Sequence, residues 1–106
     1  MGKRTVVWTD TAARQRRAVL KYWTKHNGST VFAEELIKLI ADRIQITLRH
    51  PKSFKSTTYP GTRESAMGHF SLFYKLDHNT LIITAFWDNR QDPKQLLEIV
   101  KKATLD

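Results

Sequence analysis

Two stretches of the chain repeat apolar and polar residues with the period of an α-helix. In the first, which begins at Thr9 or Asp10 and ends near His26, one side is apolar and the opposite side is basic. The basic side consists of Arg14, Arg17, Lys21 and Lys25. In the second, from about Thr30 to Arg49, polar residues cover an arc of only about 100°. So wide an apolar arc predicts a helix that packs on two sides, against the first helix and against a sheet.

Four other stretches have the composition or the alternation of β-strands. The first, Thr5–Trp8, is β-branched and aromatic and precedes the first helix. Three more follow a polar, basic loop over residues 50–61, at Thr62–Met67, His69–Leu76 and Thr80–Trp87. Because Thr80–Trp87 is apolar on both faces, we predict that it lies inside the sheet, with the weaker Thr62–Met67 at an edge.

Together these elements predict a single α+β domain over residues 1–106. A last helix is predicted to begin at Asp92, because Asp is a favoured cap and Pro93 suits the first helical position. The element order is then β-α-α-β-β-β-α, a helical hairpin packed on a mostly antiparallel four-stranded sheet. With 41% hydrophobic and 26% charged residues, the chain has the composition of a globular domain and not of a disordered one.

The composition also excludes several kinds of site. The chain has no cysteine, so disulfides, cysteine-based zinc sites and thiol nucleophiles are ruled out. Its histidines lie at separate turns and element ends, without the spacing of metal ligands, so we expect no metal and no cofactor. The sequence has neither an apolar run of about 18 residues nor the apolar region of a signal peptide. We therefore expect a cytoplasmic protein that does not engage membranes.

Positive charge is concentrated in two parts of the chain. Lys and Arg total 18 against 10 Asp and Glu, which gives a net charge of +8 and a pI near 10.1. Residues 1–27 carry +6 and residues 51–75 carry +3, whereas the remainder is close to neutral. Clustered positive charge speeds encounter with polyanions, so the expected partners are nucleic acid, a ribosome surface or an acidic protein.

Four cations near the predicted loop and sheet ends are candidates for chemistry on a phosphodiester. They are Lys52, Lys55, Arg63 and Arg90. Cleavage of a phosphodiester without a metal needs cations on the developing charge and a proton donor or acceptor within hydrogen-bond reach. The residues alone leave a second interpretation open, in which Arg63 and Arg90 pair with neighbouring acids such as Glu64 or Asp88 at the surface.

Several short motifs, taken in order, resemble the RelE/ParE superfamily of bacterial toxins from type II toxin–antitoxin systems. Trp8–Ala12 resembles the start of the first helix in that superfamily. The most specific match is Pro60–Arg63 followed by Gly68–Tyr74, which is similar to the "P-G-x-R … G-x-Y-x-x-x-Y" strand pair, with Phe70 in place of the first Tyr. Arg90–Pro93 resembles the closing "R-x-D-P" segment. The resemblance runs from about residue 6 to residue 97.

The resemblance implies a compact toxin, and the branches of the superfamily differ in their targets. One branch cleaves messenger RNA in the ribosomal A site without a metal. In that case Arg63 and Arg90 would stabilise the phosphate charge, Asp88 would be a conceivable base, and Lys52 and Lys55 would position the RNA. We adopt this ribosome-dependent endoribonuclease as the first hypothesis, because the basic helix face and loop suit an RNA-rich surface.

Two alternatives stay open at this point. A tyrosine that the nuclease branch has after the last strand is missing, and Ser71 stands where a basic residue is common. Both departures weaken the nuclease interpretation. The missing tyrosine and the ParE-like spacing from Gly68 to Tyr74 favour the branch that poisons DNA gyrase by binding, without nuclease activity. A third possibility is a degenerate, non-toxic protein that binds only its antitoxin. In every case the resemblance implies a cognate acidic antitoxin, which we expect to cover the basic side of the first helix.

Overall fold

The computed structural model describes residues 4–91, which form two helices against one mixed sheet. In chain order the elements are β1 (Thr5–Trp8), α1 (Asp10–Asn27), α2 (Val31–Arg49), β2 (Lys55–Ser56), β3 (Arg63–Met67), β4 (Phe70–Asp77) and β5 (Thr80–Asp88). The strands lie in the order β1-β5-β4-β3-β2. Only β1 and β5 pair in parallel, so the predicted α+β class with a mostly antiparallel sheet is confirmed. The last helix predicted from Asp92 lies outside the described residues.

Local sequence signals set the ends of both helices. The Thr9 hydroxyl accepts the backbone N–H of Ala12 at 3.2 Å, which satisfies one of the unpaired donors at the start of α1. Gly28 ends α1 in the left-handed region, at φ 67°, where a side chain would add strain. Ser29 then accepts the N–H of Val31 at 3.2 Å, just before α2, whose N-cap Thr30 makes no side-chain capping bond. The two helices therefore form the predicted hairpin.

The sheet has five strands, so the prediction of four is wrong in number. The additional strand is β2, two residues long, inside the segment that we predicted as a loop. It pairs with Arg63 and Glu64, which leaves β3 as an edge only over residues 65–67. Two residues are too few to leave a periodic pattern, so the sequence carries no signal for β2. As predicted, β5 is an interior strand, between β1 and β4.

The main core lies between the helices and one face of the sheet. Its buried residues are Ala12, Val19, Leu36, Ile40, Met67, Phe70, Leu72, Ile83 and Phe86. The Phe86 ring is completely buried and stacks on Phe70, with 5.6 Å between ring centroids. β1 pairs with β5 only as far as Ile83. Beyond that point the backbone N–H of Phe86 has no neighbouring strand on that side and donates instead to Oε1 of Gln15, at 2.9 Å. This bond ties α1 to the end of β5, where Asp88 and Arg90 follow.

α2 buries less of its apolar arc than we predicted. It contacts α1 and the sheet, as expected, through the buried Leu36 and Ile40 among others. Two apolar residues of the predicted arc, Ile37 and Leu39, nevertheless stay exposed, and so do Val31 and Ile46 elsewhere on the helix. The width of an apolar arc does not tell whether its partner belongs to the same chain, and here part of the arc has no partner within residues 4–91.

Neither α1 nor α2 is long and apolar enough to cross a membrane. Within residues 4–91, the His, Asp and Glu side chains form no group of three that could hold a metal ion.

Candidate functional site

At the carboxyl end of β5, Arg90 folds back onto the strand and binds Asp88. Its Nε donates to Asp88 Oδ1 at 2.8 Å, and its Nη2 donates to Asp88 Oδ2 at 2.7 Å. The backbone N–H of Arg90 adds a third bond to Oδ1 at 3.0 Å. Such a two-pronged contact between guanidinium and carboxylate is strong and fixes the orientation of both groups. Arg90 therefore pairs with a neighbouring acid, as in the second interpretation that the sequence left open.

The electrostatics of this pair make Asp88 a weak base. Burial of the Asp88 carboxyl raises its pKa, but the hydrogen bonds and the charge of Arg90 outweigh the burial and hold the pKa below its ordinary value. The same hydrogen bond raises the pKa of Arg90 above its ordinary value. Both carboxylate oxygens are occupied by Arg90. A proton acceptor in this state would have to break two bonds before it could act.

Arg90 also separates two cavities on the helix side of the sheet. Its guanidinium lies 4.7 Å from the ring centre of Trp23 and 5.6 Å from that of Phe70. One cavity, of about 430 Å³, lies between the end of α1, α2 and the turn at Gly68. The other, of about 640 Å³, lies between α1 and the end of β5 and includes Gln15. Arg90 and Trp23 line both cavities, so they form the wall between them.

The remaining predicted site residues lie farther along the sheet, at the start of β3 and in the segment before it. Arg63 is half-buried, and its Nη1 donates to the carbonyl of Phe54 at 2.7 Å, which fastens the loop before β3 to the sheet. The adjacent Tyr74 hydroxyl donates to the Pro51 carbonyl at 2.6 Å. Burial raises the pKa of Tyr74 to about 12, although the charge of Arg63 acts in the opposite direction. Lys52 is exposed on this same loop, and Lys55 is exposed on β2, which follows it.

The structure does not bring the predicted catalytic residues together. Arg63 is in register with Tyr74 on β4, whereas Asp88 is in register with Phe70, four positions away along the same strand. Four positions correspond to about 13 Å, and β3 and β5 are two strand spacings, or about 10 Å, apart. Groups that stabilise one transition state must lie within about 3 Å of the reacting atoms. The roles of Arg63, Arg90 and Asp88 in catalysis thus stay a prediction, and the observed geometry gives each of them a structural contact.

The basic side of α1 forms a continuous surface. Arg14, Arg17, Lys21 and Lys25, which we call the α1 basic row, are all exposed. Within residues 4–91 the ion pairs are Asp77 with His78 and Asp88 with Arg90, so the row has no acidic partner there. Arg16 does not belong to this row, because its guanidinium lies over the Trp8 ring, 4.3 Å from the centre. Among the described residues, the charge of the row is therefore uncompensated.

Sequence reasoning missed two groups of side chains near these residues. On the face of the sheet away from Arg90, Ser71 donates to Glu64 Oε2 at 2.6 Å and accepts from Asn89 Nδ2 at 2.9 Å. No local spacing links these residues, because three different segments supply them. The second group is Tyr22 and His26, whose rings stack with 5.6 Å between centroids. Their separation of four residues on α1 is a signal that was available in the sequence.

We expect Asp88→Asn to lower the free energy of unfolding by about 1 kcal/mol at pH 7, because it weakens a charge-assisted contact whose arginine is partly exposed. A carboxylate with a lowered pKa stabilises the fold above the pKa of the unfolded chain and loses that effect as the pH falls through the lowered value. The difference between the two proteins should therefore shrink below about pH 4. Urea unfolding at neutral and acidic pH measures this difference.

The matched control for this prediction is Asp77→Asn, since the Asp77 side chain is 69% exposed and only 3.7 Å from the exposed His78. We expect a change within about 0.5 kcal/mol. Equal losses of unfolding free energy in the two variants would show that the contact between Asp88 and Arg90 contributes no more to stability than the exposed Asp77–His78 pair.

With this geometry established, comparison with known proteins gives consistent results. The family model of the ParE toxin of type II toxin–antitoxin system, parDE, matches residues 6–93. Among solved structures, the chromosomal ParDE toxin–antitoxin system from P. aeruginosa is similar with a TM-score of 0.67 and 16% identity, covering 78% of this chain and 92% of that one. The toxin–antitoxin complex RelBE2 from Mycobacterium tuberculosis is similar with a TM-score of 0.57 and 21% identity, covering 86% and 97%. No curated protein sequence matches significantly.

The matched region includes both helices and, except for Thr5, all five strands. It also includes the α1 basic row and the four cations proposed to act on a phosphodiester. At these identities the two solved structures support the fold, and the fold agrees with the resemblance found in the sequence. The family match covers most of the chain and carries the assignment. The chain belongs to the ParE toxin family of type II toxin–antitoxin systems, within the RelE/ParE superfamily.

Proposed function

We propose that the protein arrests growth by binding DNA gyrase, without nuclease activity, and that a cognate acidic antitoxin neutralises it. Membership of the ParE toxin family supports the toxin role and the antitoxin partner. The observation that carries the binding mechanism is the separation of Arg63 from the Asp88–Arg90 pair across the sheet. A toxin that acts by binding needs a surface and not a convergent set of catalytic groups.

The contacts of the individual residues support the same mechanism. Arg63 is engaged with the Phe54 carbonyl, and Arg90 is engaged with Asp88. At Ser71, where the nuclease branch commonly has a basic residue, the hydroxyl bonds Glu64 and Asn89. Each of these polar side chains thus has a partner within the chain, an arrangement that stabilises the fold.

Ribosome-dependent cleavage of messenger RNA is the second candidate function. It is favoured by two exposed lysines, Lys52 and Lys55, which lie on either side of Phe54, the residue whose carbonyl Arg63 binds. In this mechanism the ribosome would position the RNA, and the lysines would contact its phosphates. The two candidates differ in what the purified chain does to gyrase and in what the induced chain does to translated RNA.

The experiment combines a gyrase supercoiling assay with primer extension on a translated reporter mRNA after induction of the chain. We expect supercoiling to be inhibited and the mRNA to stay intact. New in-frame cleavage ends would contradict the proposal, and their loss in Lys52→Ala/Lys55→Ala would favour the nuclease. The control variant is Lys38→Ala/Arg49→Ala, which removes two exposed charges from α2. A folded chain that affects neither gyrase nor mRNA would favour the non-toxic, antitoxin-binding protein.

A further inference from the structure

The α1 basic row has the geometry of a surface that follows a charged polymer. Its residues are separated by three, four and four positions, so the row extends about 16 Å along the helix and lies within an arc of about 80°. α1 carries five cations and a single acid, Asp10, which gives it a net charge of +4. At a rise of about 3.4 Å per nucleotide, the row matches the length of about five stacked nucleotides.

An aromatic pair borders the α1 basic row on one side. Tyr22 is 57% exposed, and its ring is nearly parallel to that of His26, with 9° between the planes. Trp23 supports both rings edge-on, at 5.1 Å from Tyr22 and 5.4 Å from His26. Trp23 is in turn packed against Phe32 of α2, 5.3 Å away, and covered by Arg90. The exposed rings are therefore held in place by the core and not by solvent-exposed neighbours alone.

We propose that this face of α1 binds single-stranded nucleic acid. The α1 basic row would contact the phosphates, and a base would stack on the Tyr22–His26 pair. Cations that follow the backbone, combined with aromatic rings that accept any base, are the two elements by which proteins bind single strands without sequence preference. An acidic protein would use the row but would gain little from the rings. The inference concerns an activity of the purified chain alone, so it stands apart from the action on gyrase.

The test measures binding of a fluorescent oligodeoxythymidylate to the purified full-length chain by anisotropy, over a series of salt concentrations. We expect Arg17→Ala/Lys21→Ala to weaken binding at least about tenfold at low salt and to reduce the salt slope by about 1.4, or 0.7 for each lost phosphate contact. The matched control, Lys38→Ala/Arg49→Ala, removes the same charge from α2 and should change affinity less than about threefold. Circular dichroism confirms that the variants are folded.

Tyr22→Ala tests the stacking half of the proposal. We expect about tenfold weaker binding with an unchanged salt slope, and recovery in Tyr22→Phe, because the loss concerns a ring and not a charge. A labelled oligoribonucleotide should bind similarly, and a DNA duplex should be insensitive to Tyr22→Ala.

Three results would overturn the proposal. The first is absence of binding at low salt, and the second is an equal loss in the α1 and α2 double variants, which would indicate attraction by net charge alone. The third is binding of a polyglutamate peptide but not of the oligonucleotide, which would restrict the row to acidic proteins such as the antitoxin. None of these measurements contains gyrase, so each outcome is independent of the gyrase assay.

Discussion

Phe86→Ala should lower the free energy of unfolding by about 3–5 kcal/mol, the largest effect on stability that we expect from a single substitution in this chain. The Phe86 side chain is completely buried between the helices and the sheet, and it stacks on Phe70. Its removal leaves a cavity and also removes the aromatic contact, and both losses act in the same direction. For a domain of this size, total stability is about 5–15 kcal/mol, so this one substitution removes a large fraction of it.

Urea unfolding followed by circular dichroism measures this change. The control is Leu39→Ala on α2, because Leu39 is apolar but 43% exposed, and we expect it to cost less than about 1 kcal/mol. A loss below about 1 kcal/mol for Phe86→Ala would mean that the buried cluster around Phe86 is not what holds the helices on the sheet. The same variant should also lose toxicity, since the residues at the end of β5 depend on this core for their position.

Much of the fold was accessible from the sequence because several local signals agreed with one another. β1 was predicted at its observed bounds, and both helices were predicted to within about two residues at each end. At Gly28 and Gly61, φ values of 67° and 70° place the backbone in the left-handed region, which glycine adopts without strain. What local patterns could not show was β2, whose two residues pair with β3 through contacts distant in sequence. They also could not show how much of the α2 arc would stay exposed, because burial depends on what the rest of the chain covers.

The candidate site was less accessible than the fold, and the reason is geometric. Arg63 and Arg90 were grouped because both are cations near predicted sheet ends, but the register separates them: Arg63, at the start of β3, is level with the middle of β5, whereas Arg90 follows the end of β5. The pairing of Arg90 with Asp88 was one of the interpretations that the sequence left open, since a single residue separates the two. The network of Glu64, Ser71 and Asn89 was not, because it exists only once three strands are in register. A site formed by residues from several strands can thus be predicted only when the strand register is known. The α1 basic row can be predicted from the helical period alone.

The α1 basic row carries the second large expected effect. We expect Arg17→Glu/Lys21→Glu to weaken the complex with the cognate antitoxin by about a hundredfold, mainly through slower association. Both residues are exposed at the centre of the row, and residues 4–91 supply no acid to compensate them. Charge reversal replaces attraction by repulsion against an acidic partner, so its effect exceeds that of removal. Surface plasmon resonance with the antitoxin immobilised, at low and physiological salt, gives the rates directly.

The salt dependence distinguishes this electrostatic mechanism from simple disruption of the helix. For the unaltered chain, salt should slow association strongly, because exposed charges are screened over about 8–10 Å at physiological ionic strength. For Arg17→Glu/Lys21→Glu, salt should have a smaller or opposite effect, since it then screens a repulsion. Lys38→Glu/Arg49→Glu on α2 gives the same change in net charge away from the row and should leave association nearly unchanged. If both variants slowed association equally, net charge and not the row would attract the antitoxin; if neither did, the antitoxin would dock elsewhere. A loss of affinity without any change in salt dependence would mean that the substitutions disturb packing and not electrostatic attraction. The exposed apolar residues of α2 would then be the next surface to test for antitoxin binding.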